Sequence, residues 1–420
     1  MAKIFISIAS YRDPELIPTI KDCLANAKNP KDLVFSIAWQ HSPDDVWDNL
    51  DEFKDDPRFK IIDINYADSK GACWARNAIQ QNYNDEDYYF QLDSHHRFVK
   101  NWDVECIKMI KQLKKAGHEK PLLTAYIPSY NPEKDPGDRV QEPWWLTFDR
   151  FIPEGAIFFL PATIPRWQEI TQPVPSRFLS AHFIFTLGKW CQEVPYDPDL
   201  YFHGEEISLA VRSYTSGYDL FHPHRVIAWH EYTRKGRTKQ WDDDKEWVDK
   251  NNRAHKRNRM LFGMEPGCTP CQRKLLDVYD FGSVRTLEQY ENYSGIKFAT
   301  RGVQQHTLDN KFAPNPIYDS LEEYEASFAQ VFKHCIDIAY YQVTETDYDF
   351  WCVAFENEQG ETIFRQDAQL DEINRMKSDP DGYCKVWRTF QHIGVPTKWV
   401  VWPHSISKGW CDKIEGILPV

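Results

Sequence analysis

Residues 88–98 read YYFQLDSHHRF. The aromatic start of this stretch is typical of the end of a buried strand, and the polar residues after it predict that the chain leaves the sheet there. Side chains two residues apart in extended backbone point the same way, so Asp93 and His95 can share one ligand. A carboxylate and an imidazole together suit Mn²⁺ better than Ca²⁺, and an incomplete protein shell leaves room for phosphate oxygens. The alternative is that Asp93 caps a following helix while His95 is solvated.

Short apolar runs alternate with stretches of helical spacing on the N-terminal side of this segment. Such a series folds into a parallel sheet covered by helices, and its ligands lie outside the carboxyl ends of the strands. We therefore expect a Rossmann-like α/β fold with Asp93 and His95 at its ligand-binding edge. The predicted strands are residues 3–8, 33–38, 59–64 and 88–92, and the helices between them include residues 14–27 and 72–83.

Two further strand ends point into the same crevice. After the first strand comes a polar loop that offers backbone N–H groups, a guanidinium and a stackable ring, so it can hold a nucleotide base and ribose. After the third strand, Lys70 and Arg76 lie at a helix entry, where cations favour a bound anion such as a diphosphate. The alternative for Arg76 is an ion pair with a surface carboxylate. The loop residues are Ala9, Ser10, Tyr11, Arg12 and Asp13.

The composition of the chain narrows the classes of protein to which it can belong. The chain has 420 residues, of which 42% are hydrophobic, so it can bury a large core and divide into two or three domains. Its formal net charge of −13 argues against a general grip on nucleic-acid backbone. The ten cysteines do not form a small-domain disulfide pattern, and no apolar run is long enough for a membrane span. The first residues predict a strand rather than an export signal, so we expect a cytoplasmic protein.

Five motifs, in order from about residue 3 to residue 300, are ISIASYRDPEL, GACWARNAIQ, QLDSHHRF, FHGEEISLAVRSYTSGYDLF and VRTLEQYENYSGI. They resemble the polypeptide α-N-acetylglucosaminyltransferases that modify hydroxyproline on a ubiquitin-ligase subunit, with their bacterial and viral relatives. They are similar, more distantly, to the mucin-type polypeptide N-acetylgalactosaminyltransferases, whose Asp-x-His motif binds Mn²⁺. The resemblance implies a GT-A fold, a UDP-sugar donor, Mn²⁺ or Mg²⁺, and retention of anomeric configuration.

The resemblance also implies a metal site. Asp93 and His95 match the metal motif, Ser94 between them falls in the donor site, and the third ligand is a histidine after the last strand of the catalytic sheet. The segment VIAWH supplies His230 for that position, with His224 as the alternative. His96 should face the opposite way, because adjacent residues in extended chain do so.

The remaining implied residues contact the donor sugar and the acceptor. Glu205 and Glu206 fall at a helix N-terminus, where capping alone could explain one of them, and the resemblance assigns them to sugar binding and to orienting or activating the acceptor hydroxyl. Ser180 and Ala181 would leave room for an N-acetyl group. His182 is bulkier than the glycine often found there in the galactosamine enzymes.

These residues predict a mechanism. The metal and Lys70 or Arg76 would stabilise the leaving UDP, and a phosphate oxygen would take the proton of the attacking hydroxyl. The expected donor is UDP-N-acetylglucosamine and the expected acceptor a hydroxyl on a protein or glycan. One alternative is another UDP-sugar (galactose, glucose or N-acetylgalactosamine) used on a glycan, a capsule precursor or modified DNA. The other is a sugar-binding scaffold with a decayed transferase domain.

Three segments allow two interpretations each. Residues 131–145 form a predicted surface loop, whose Trp144 and Trp145 either stack on an acceptor or anchor the loop. The charged residues 234–259 either close over the diphosphate through their basic cluster or form a solvated helix. The lone CxxC of Cys268 and Cys271 is either a pair of packed thiols, which we expect, or part of a zinc site, which would need four ligands.

We predict three parts along the chain: a GT-A domain at residues 1–310, with a charged loop at 234–262; a linker and helix at 311–329; and a smaller β-rich, sandwich-like domain at 330–420. Helical spacing extends over residues 321–339. The last domain is expected to dock the acceptor or to mediate a homo-oligomer. Its tryptophans form a core or, in part, a sugar-stacking platform: Trp351, Trp387, Trp399, Trp402 and Trp410.

Overall fold

The structure is a computed structural model that describes residues 2–233, 236–265, 274–378 and 382–418. The chain divides into two compact units: the first is Met1–Arg301 with Thr307–Asn315, and the second is Gly302–His306 with Pro316–Val420. No helix in these ranges is both long enough and apolar enough to cross a membrane.

The first unit alternates strands and helices along most of its length. Its strands are β1 (Ile4–Tyr11), β2 (Leu33–His41), β3 (Phe59–Asn65), β4 (Tyr88–Asp93), β5 (His96–Phe98), β6 (Pro121–Thr124), β7 (Trp144–Phe151), β8 (Ile157–Thr163), β9 (Val174–Pro175), β10 (Phe183–Leu187), β11 (Asp219–His222), β12 (Ala228–His230) and β13 (Ile296–Lys297). Its α-helices are α1 (Leu16–Asn26), α2 (Asp51–Lys54), α3 (Ala72–Gln80), α4 (Trp102–Lys115), α5 (Trp190–Glu193), α6 (Glu205–Thr215), α7 (Gln240–Asp243), α8 (Trp247–Leu261) and α9 (Leu287–Ser294). Its 3-10 helices are Pro30–Asp32, Tyr66–Asp68, Pro132–Lys134, Trp167–Glu169 and Lys274–Tyr279.

An eight-stranded sheet of order β3-β2-β1-β4-β10-β6-β11-β9 forms the centre of this unit. Strands β1 to β4 are mutually parallel, whereas β10 runs antiparallel to both β4 and β6. Ile4, Ile6 and Ile8 of β1 are buried within this sheet's core. Helix α1 buries Leu16, Ile20 and Cys23, which the helical repeat places on one face. Helices therefore cover the parallel strands, and the carboxyl ends of β1 to β4 share one edge.

A second, two-stranded sheet lies beyond the end of β4. Strand β5 pairs antiparallel with β12, in a register that sets His230 opposite His96. Strands β7 and β8 form a separate antiparallel ribbon. The β5–β12 pairing carries a residue distant in sequence to the end of β4.

The four predicted strands and both predicted helices are present, with bounds that differ by a few residues. The expected α/β class is confirmed: a large mixed sheet with helices forms the first unit, and additional β-rich sheets lie near the C-terminus. Within the predicted charged loop, the described residues instead include α7 and α8, since buried Ala254, His255 and Leu261 give α8 an inward face.

The second unit is β-rich. Its strands are β14 (Gly302–Gln304), β15 (Phe328–Ala339), β16 (Tyr348–Glu356), β17 (Thr362–Arg365), β18 (Ala368–Gln369), β19 (Tyr383–His392), β20 (Lys398–Ser405), β21 (Gly409–Trp410) and β22 (Ile414–Ile417). Its helical elements are α11 (Leu321–Ala326), α12 (Leu370–Lys377) and the 3-10 helix Tyr340–Gln342, while α10 (Gln305–Leu308) falls at the division between units. Strand β15 pairs with β19 along its length, and β17, β16, β20 and β21 form a second sheet, to which β18 and β22 add.

One prediction for this unit is wrong. The helical spacing predicted over residues 321–339 yields a helix only as far as Ala326, because β15 then pairs with β19 and buries Ile336 and Ile338 on alternate positions. The tryptophans divide between the two interpretations given above. Trp351 is fully buried, but the side chains of Trp387, Trp402 and Trp410 are exposed. The core consists mainly of aliphatic residues and Phe side chains around Trp351.

Candidate active site

The three predicted metal ligands converge at the carboxyl end of β4. Asp93 ends β4, His95 lies in the turn after it, and His230 ends β12. One ligand atom from each lies within 4.8 Å of the other two. Nε2 of His230 is 3.4 Å, and Nε2 of His95 3.8 Å, from Oδ2 of Asp93. No other group of three or more His, Cys, Asp or Glu side chains in the described ranges meets this spacing.

Asp13 supports this group from behind. Its Oδ2 lies 2.7 Å from Nδ1 of His95, which leaves Nε2 of that ring facing Asp93. The hydroxyl of Ser94 and the guanidinium of Arg237 donate to the same carboxylate, at 2.7 and 2.9 Å. A carboxylate bonded to the far nitrogen of a histidine fixes its ring and tautomer, as it does in many metal sites. The predicted loop residue Asp13 is thus a positioning group for a predicted ligand.

Arg76 is a buried partner of Asp93 rather than a surface ion pair. Its Nη2 donates to Oδ1 of Asp93 at 2.6 Å, and its Nη1 donates to the hydroxyl of Tyr196 at 3.3 Å. Its Nε has no hydrogen-bond partner among the described residues. The guanidinium leaves Oδ2 of Asp93 to face both histidines.

The charge states suit metal ligation. Burial disfavours ionisation of Asp93, yet the hydrogen bond from His230 and the charge of Arg76 hold its pKa well below the usual range. Burial, with the neighbouring His182 and His95, holds the pKa of His230 well below its usual value. An ionised carboxylate and a neutral imidazole are the forms that bind a metal.

Glu205 and Glu206 open α6 after Gly204, whose φ of +101° favours glycine. The N–H of Ala181 donates to Oε1 of Glu206 at 2.9 Å, and the hydroxyl of Tyr126 donates to Oε2 at 3.1 Å. Both oxygens of Glu206 are therefore engaged with the protein. Burial and the charge of Glu206 raise the pKa of Glu205 to about 8, against the opposing charge of Arg76.

The predicted donor-sugar segment forms a wall beside these acids. Ser180 and His182 bond each other, with Oγ and Nδ1 2.9 Å apart, and the ring of His182 stacks on His230 at 4.4 Å. Burial lowers the pKa of His182 to about 3, so this ring is neutral. Tyr232 contacts His182 from another side, with its hydroxyl 3.3 Å from Nε2. The wall is thus connected directly to the metal group.

A cavity of about 770 Å³ joins these groups. Its size lies within the roughly 300–1,000 Å³ range of small-molecule sites. Ser10, Arg12, Lys70 and Ser180 are predicted site residues that do not border it, at least where the chain is described. The predicted residues that do border it are Ala9, Tyr11, Asp13, Arg76, Asp93, Ser94, His95, Ala181, His182, Glu205, Glu206 and His230.

Residues 237–241 border this cavity. The hydroxyl of Tyr11 and Nη1 of Arg12 donate to Oδ2 of Asp243 at 2.7 and 3.0 Å, and Arg12 also bonds Asp45. Arg237 pairs with Glu231 at 2.8 Å as well as with Asp13. The predicted base-binding loop is therefore tied to the segment after β12.

Other predicted residues lie elsewhere. Lys70 is exposed, with Nζ 5.8 Å from the Trp74 ring. His96 is buried, and its Nδ1 lies 3.0 Å from the carbonyl of Asp93, while His224 bonds Arg225. Trp145 is buried against Phe312, as an anchor would be.

The basic cluster of residues 253–259 lies on α8, and none of these residues lines the cavity. Arg257 pairs with Asp197 at 2.6 Å, and Arg259 pairs with Glu265 at 2.7 Å. Cys268 and Cys271 lie outside the described residues.

Several residues that border the cavity were not predicted from the sequence. Tyr232 lies two positions after His230, so the extended-chain argument used for Asp93 and His95 could have found it. Arg237 was within the charged segment, but nothing distinguished it from the other basic residues. Tyr126 follows an ordinary buried strand, and no local pattern indicates its bond to Glu206.

No curated protein matches the chain in sequence. The structure of GalNAc-T7 with UDP, GalNAc and Mn²⁺ is similar at a TM-score of 0.48 and 11% identity, covering 98% of this chain and 68% of that one. TarS of S. aureus is similar at a TM-score of 0.39 and 10% identity, covering 99% and 77%. TarS 1–349 in complex with UDP-GlcNAc gives 0.37 and 10%, covering 66% and 80%.

A family model provides the assignment. The model described as Glycosyltransferase (GlcNAc) matches residues 3–58 and 47–300, which is more than half of the chain and contains every cavity residue named above. The chain belongs to the Glycosyltransferase (GlcNAc) family.

Proposed function

We propose that the chain is a metal-dependent, retaining glycosyltransferase that moves N-acetylglucosamine from UDP to a hydroxyl group of a protein or glycan. The observation that carries the proposal is the position of Asp93, His95 and His230 on a cavity that Glu205 and Glu206 also border. A nucleotide sugar needs a charge partner for its diphosphate and hydrogen-bonding groups for its sugar, and this cavity offers both. The family description supports N-acetylglucosamine as the sugar.

The residues fit a divalent metal. Asp93, His95 and His230 would hold it, and a carboxylate with two imidazoles suits Mn²⁺ better than an all-oxygen site would. Nδ1 of His230 is buried without a partner among the described residues, so this ring is fixed mainly by its contacts with Asp93 and His182. Bound there, the metal would act as a Lewis acid that neutralises the charge on the leaving diphosphate.

The chain's own residues would prepare the site. Asp13 fixes the ring of His95, and Arg76 holds one oxygen of Asp93 so that the other stays available. Tyr11, which borders the cavity, would contact the base or ribose. Arg12 does not border the cavity and would act indirectly, because the bonds of Tyr11 and Arg12 to Asp243 couple this loop to the segment after β12.

The two glutamates would have different tasks. Both oxygens of Glu206 are engaged with Ala181 and Tyr126, so Glu206 would position the wall against which the sugar lies. Glu205 would contact the sugar and the acceptor. In the retaining reaction, the acceptor oxygen bonds to the anomeric carbon on the face from which the UDP oxygen departs, and the hydroxyl proton passes to a phosphate oxygen. A strong protein base is not required for this step.

Release of UDP tests the proposal. The protein should hydrolyse UDP-N-acetylglucosamine slowly without acceptor, and faster than UDP-galactose, UDP-glucose or UDP-N-acetylgalactosamine. Hydrolysis should stop with EDTA and return with Mn²⁺. If no UDP-sugar binds or is hydrolysed with Mn²⁺ present, the scaffold alternative replaces the enzyme.

A further inference from the structure

Aromatic side chains share the outer face of the β16–β20–β21 sheet in the second unit. Trp402 and Trp410 are 38% and 46% exposed, and their ring centroids are 4.5 Å apart at 36°. Phe350 lies edge-on to Trp410 at 5.5 Å and stacks with His404 at 5.2 Å. This platform of Phe350, Trp402, His404 and Trp410 lies outside the core, so packing of the core does not account for it.

Hydrogen bonds fix the platform's orientation. Nε1 of Trp402 donates to the carbonyl of Cys411 at 2.9 Å, and Nδ1 of His404 lies 2.8 Å from Oδ1 of Asp349. A surface whose rings are already oriented loses little conformational freedom when a ligand binds.

The rim of the platform is polar and carries both signs of charge. The side chain of Asp349 is 39% exposed, and nearby Lys408 pairs with Glu345 at 3.0 Å. An anionic ligand would need a cluster of cations, and Lys408 already has an acidic partner. Asp349 instead offers an acceptor for neutral hydroxyl groups.

The area of the platform decides between a macromolecule and a small ring. A tryptophan buries on the order of 150–250 Å² in full, so the exposed fractions of Trp402 and Trp410 amount to roughly 200 Å². A stable protein interface buries about 800 Å² on each partner, several times more. The platform is too small for a second copy of the chain and matches the footprint of one or two sugar rings.

We propose that the platform of Phe350, Trp402, His404 and Trp410 binds a pyranose ring of a neutral glycan. A pyranose with equatorial hydroxyls has a flat C–H face that stacks on tryptophan, and its edge hydroxyls can donate to a carboxylate such as Asp349. Glucose and N-acetylglucosamine units have the flattest such faces. The proposal goes beyond the transferase reaction and does not depend on it, because no residue of the platform belongs to the first unit.

Calorimetry and saturation-transfer NMR on the full chain test this site. The probes are chitotetraose and cellotetraose, with excess UDP and Mn²⁺ present so that the donor cavity is occupied. We expect wild-type binding in the range of about 0.1–1 mM, and binding at least about tenfold weaker in Trp402→Ala and Trp410→Ala. Trp410→Phe, which keeps a ring, should recover part of the affinity. The matched control is Trp387→Ala, at a tryptophan that is 65% exposed on β19, and it should stay within about twofold.

Three results would overturn the proposal. The first is no binding of either tetrasaccharide by the wild-type protein, and the second is equal losses in Trp410→Ala and Trp387→Ala. The third is a concentration-dependent dimer in sedimentation that Trp402→Ala abolishes, since the face would then bind a second copy. Unchanged thermal midpoints in the variants would show that a loss of binding is not a loss of fold.

Discussion

The two units use polar and aromatic side chains in opposite ways. The first unit buries ionisable groups around the end of β4, among them Asp13, Glu205 and His230, whereas the second buries aliphatic and Phe side chains and exposes several tryptophans. Burying a charge costs free energy unless partners compensate, so such a cluster persists where chemistry needs shifted pKa values. An exposed aromatic ring costs the folded state little free energy, and it contributes favourable free energy only when a ligand packs against it. A site for chemistry is therefore indicated by buried ionisable groups, and a site for binding by exposed aromatic side chains.

The largest predicted effect is at the metal group. Asp93→Ala should lower UDP-sugar hydrolysis by more than about a hundredfold, because the leaving diphosphate loses its stabilisation. It should also abolish the Mn²⁺ dependence of UDP affinity, measured by calorimetry with Mn²⁺ and with EDTA. Asp199→Ala, at a side chain that is 71% exposed, is the matched control and should leave both unchanged. Equal UDP affinity in all conditions for wild type and Asp93→Ala would refute the metal role.

The next effect separates the two glutamates. Glu205→Gln should lower kcat by about a hundredfold while UDP affinity stays within about threefold, because its contacts are made with the sugar and acceptor in the transition state. Glu206→Gln should lower activity indirectly, by displacing the donor-sugar segment that contains Ala181. In a double-mutant cycle, its effect should therefore be strongly non-additive with that of Tyr126→Phe, the partner at 3.1 Å.

Either of two results would contradict this division. A collapse of UDP affinity in Glu205→Gln would move Glu205 to the nucleotide. Additive losses in Glu206→Gln and Tyr126→Phe would show that Glu206 contacts the substrate directly.

The parts of this site that the sequence predicts are local ones. Asp93 and His95 are two residues apart on a strand end, and the strand alternation that places them is visible without any tertiary contact. His230 needed the family resemblance, because its position depends on the β5–β12 pairing of distant segments. The Glu206–Tyr126 bond and the insertion of Arg237 beside Asp13 join residues far apart in sequence, and no periodicity encodes them. The helix predicted over residues 321–339 failed for the same reason, since pairing with β19 overrode local spacing.

A smaller predicted difference between the units is the way their free energies of unfolding change as pH falls. His222 in the first unit is fully buried, with Nδ1 2.8 Å from the carbonyl of Thr124, and burial lowers its pKa to about 3. The unfolded chain binds a proton at this histidine below about pH 6.5 while the folded chain does not. The contribution of the neutral, buried His222 to the free energy of unfolding is therefore fully present above that pH. It falls by about 1.4 kcal/mol for each pH unit below it.

Calorimetric unfolding of wild type and His222→Asn between pH 7 and pH 4.5 measures how much His222 contributes to the pH dependence of the free energy of unfolding. The first-unit transition of the variant should depend less on pH, by about that slope, even though the variant starts less stable. The second-unit transition should move equally in both proteins. Identical pH slopes for the first unit would show that His222 takes up a proton in the folded chain.

The smallest predicted effect is on UDP affinity, when all residues after Asn315 are removed. Every group proposed to contact the donor precedes residue 245 and lies in the first unit, whose core cluster is separate from that of the second. A chain ending at Asn315 should therefore bind UDP with Mn²⁺ within about threefold of the full chain, since no donor contact is lost. It should lose tetrasaccharide binding entirely, because the aromatic platform lies beyond the cut. If the truncated chain folds, with a first-unit unfolding transition like that of the full chain, but binds UDP more than about tenfold more weakly, residues after Asn315 must complete the donor site.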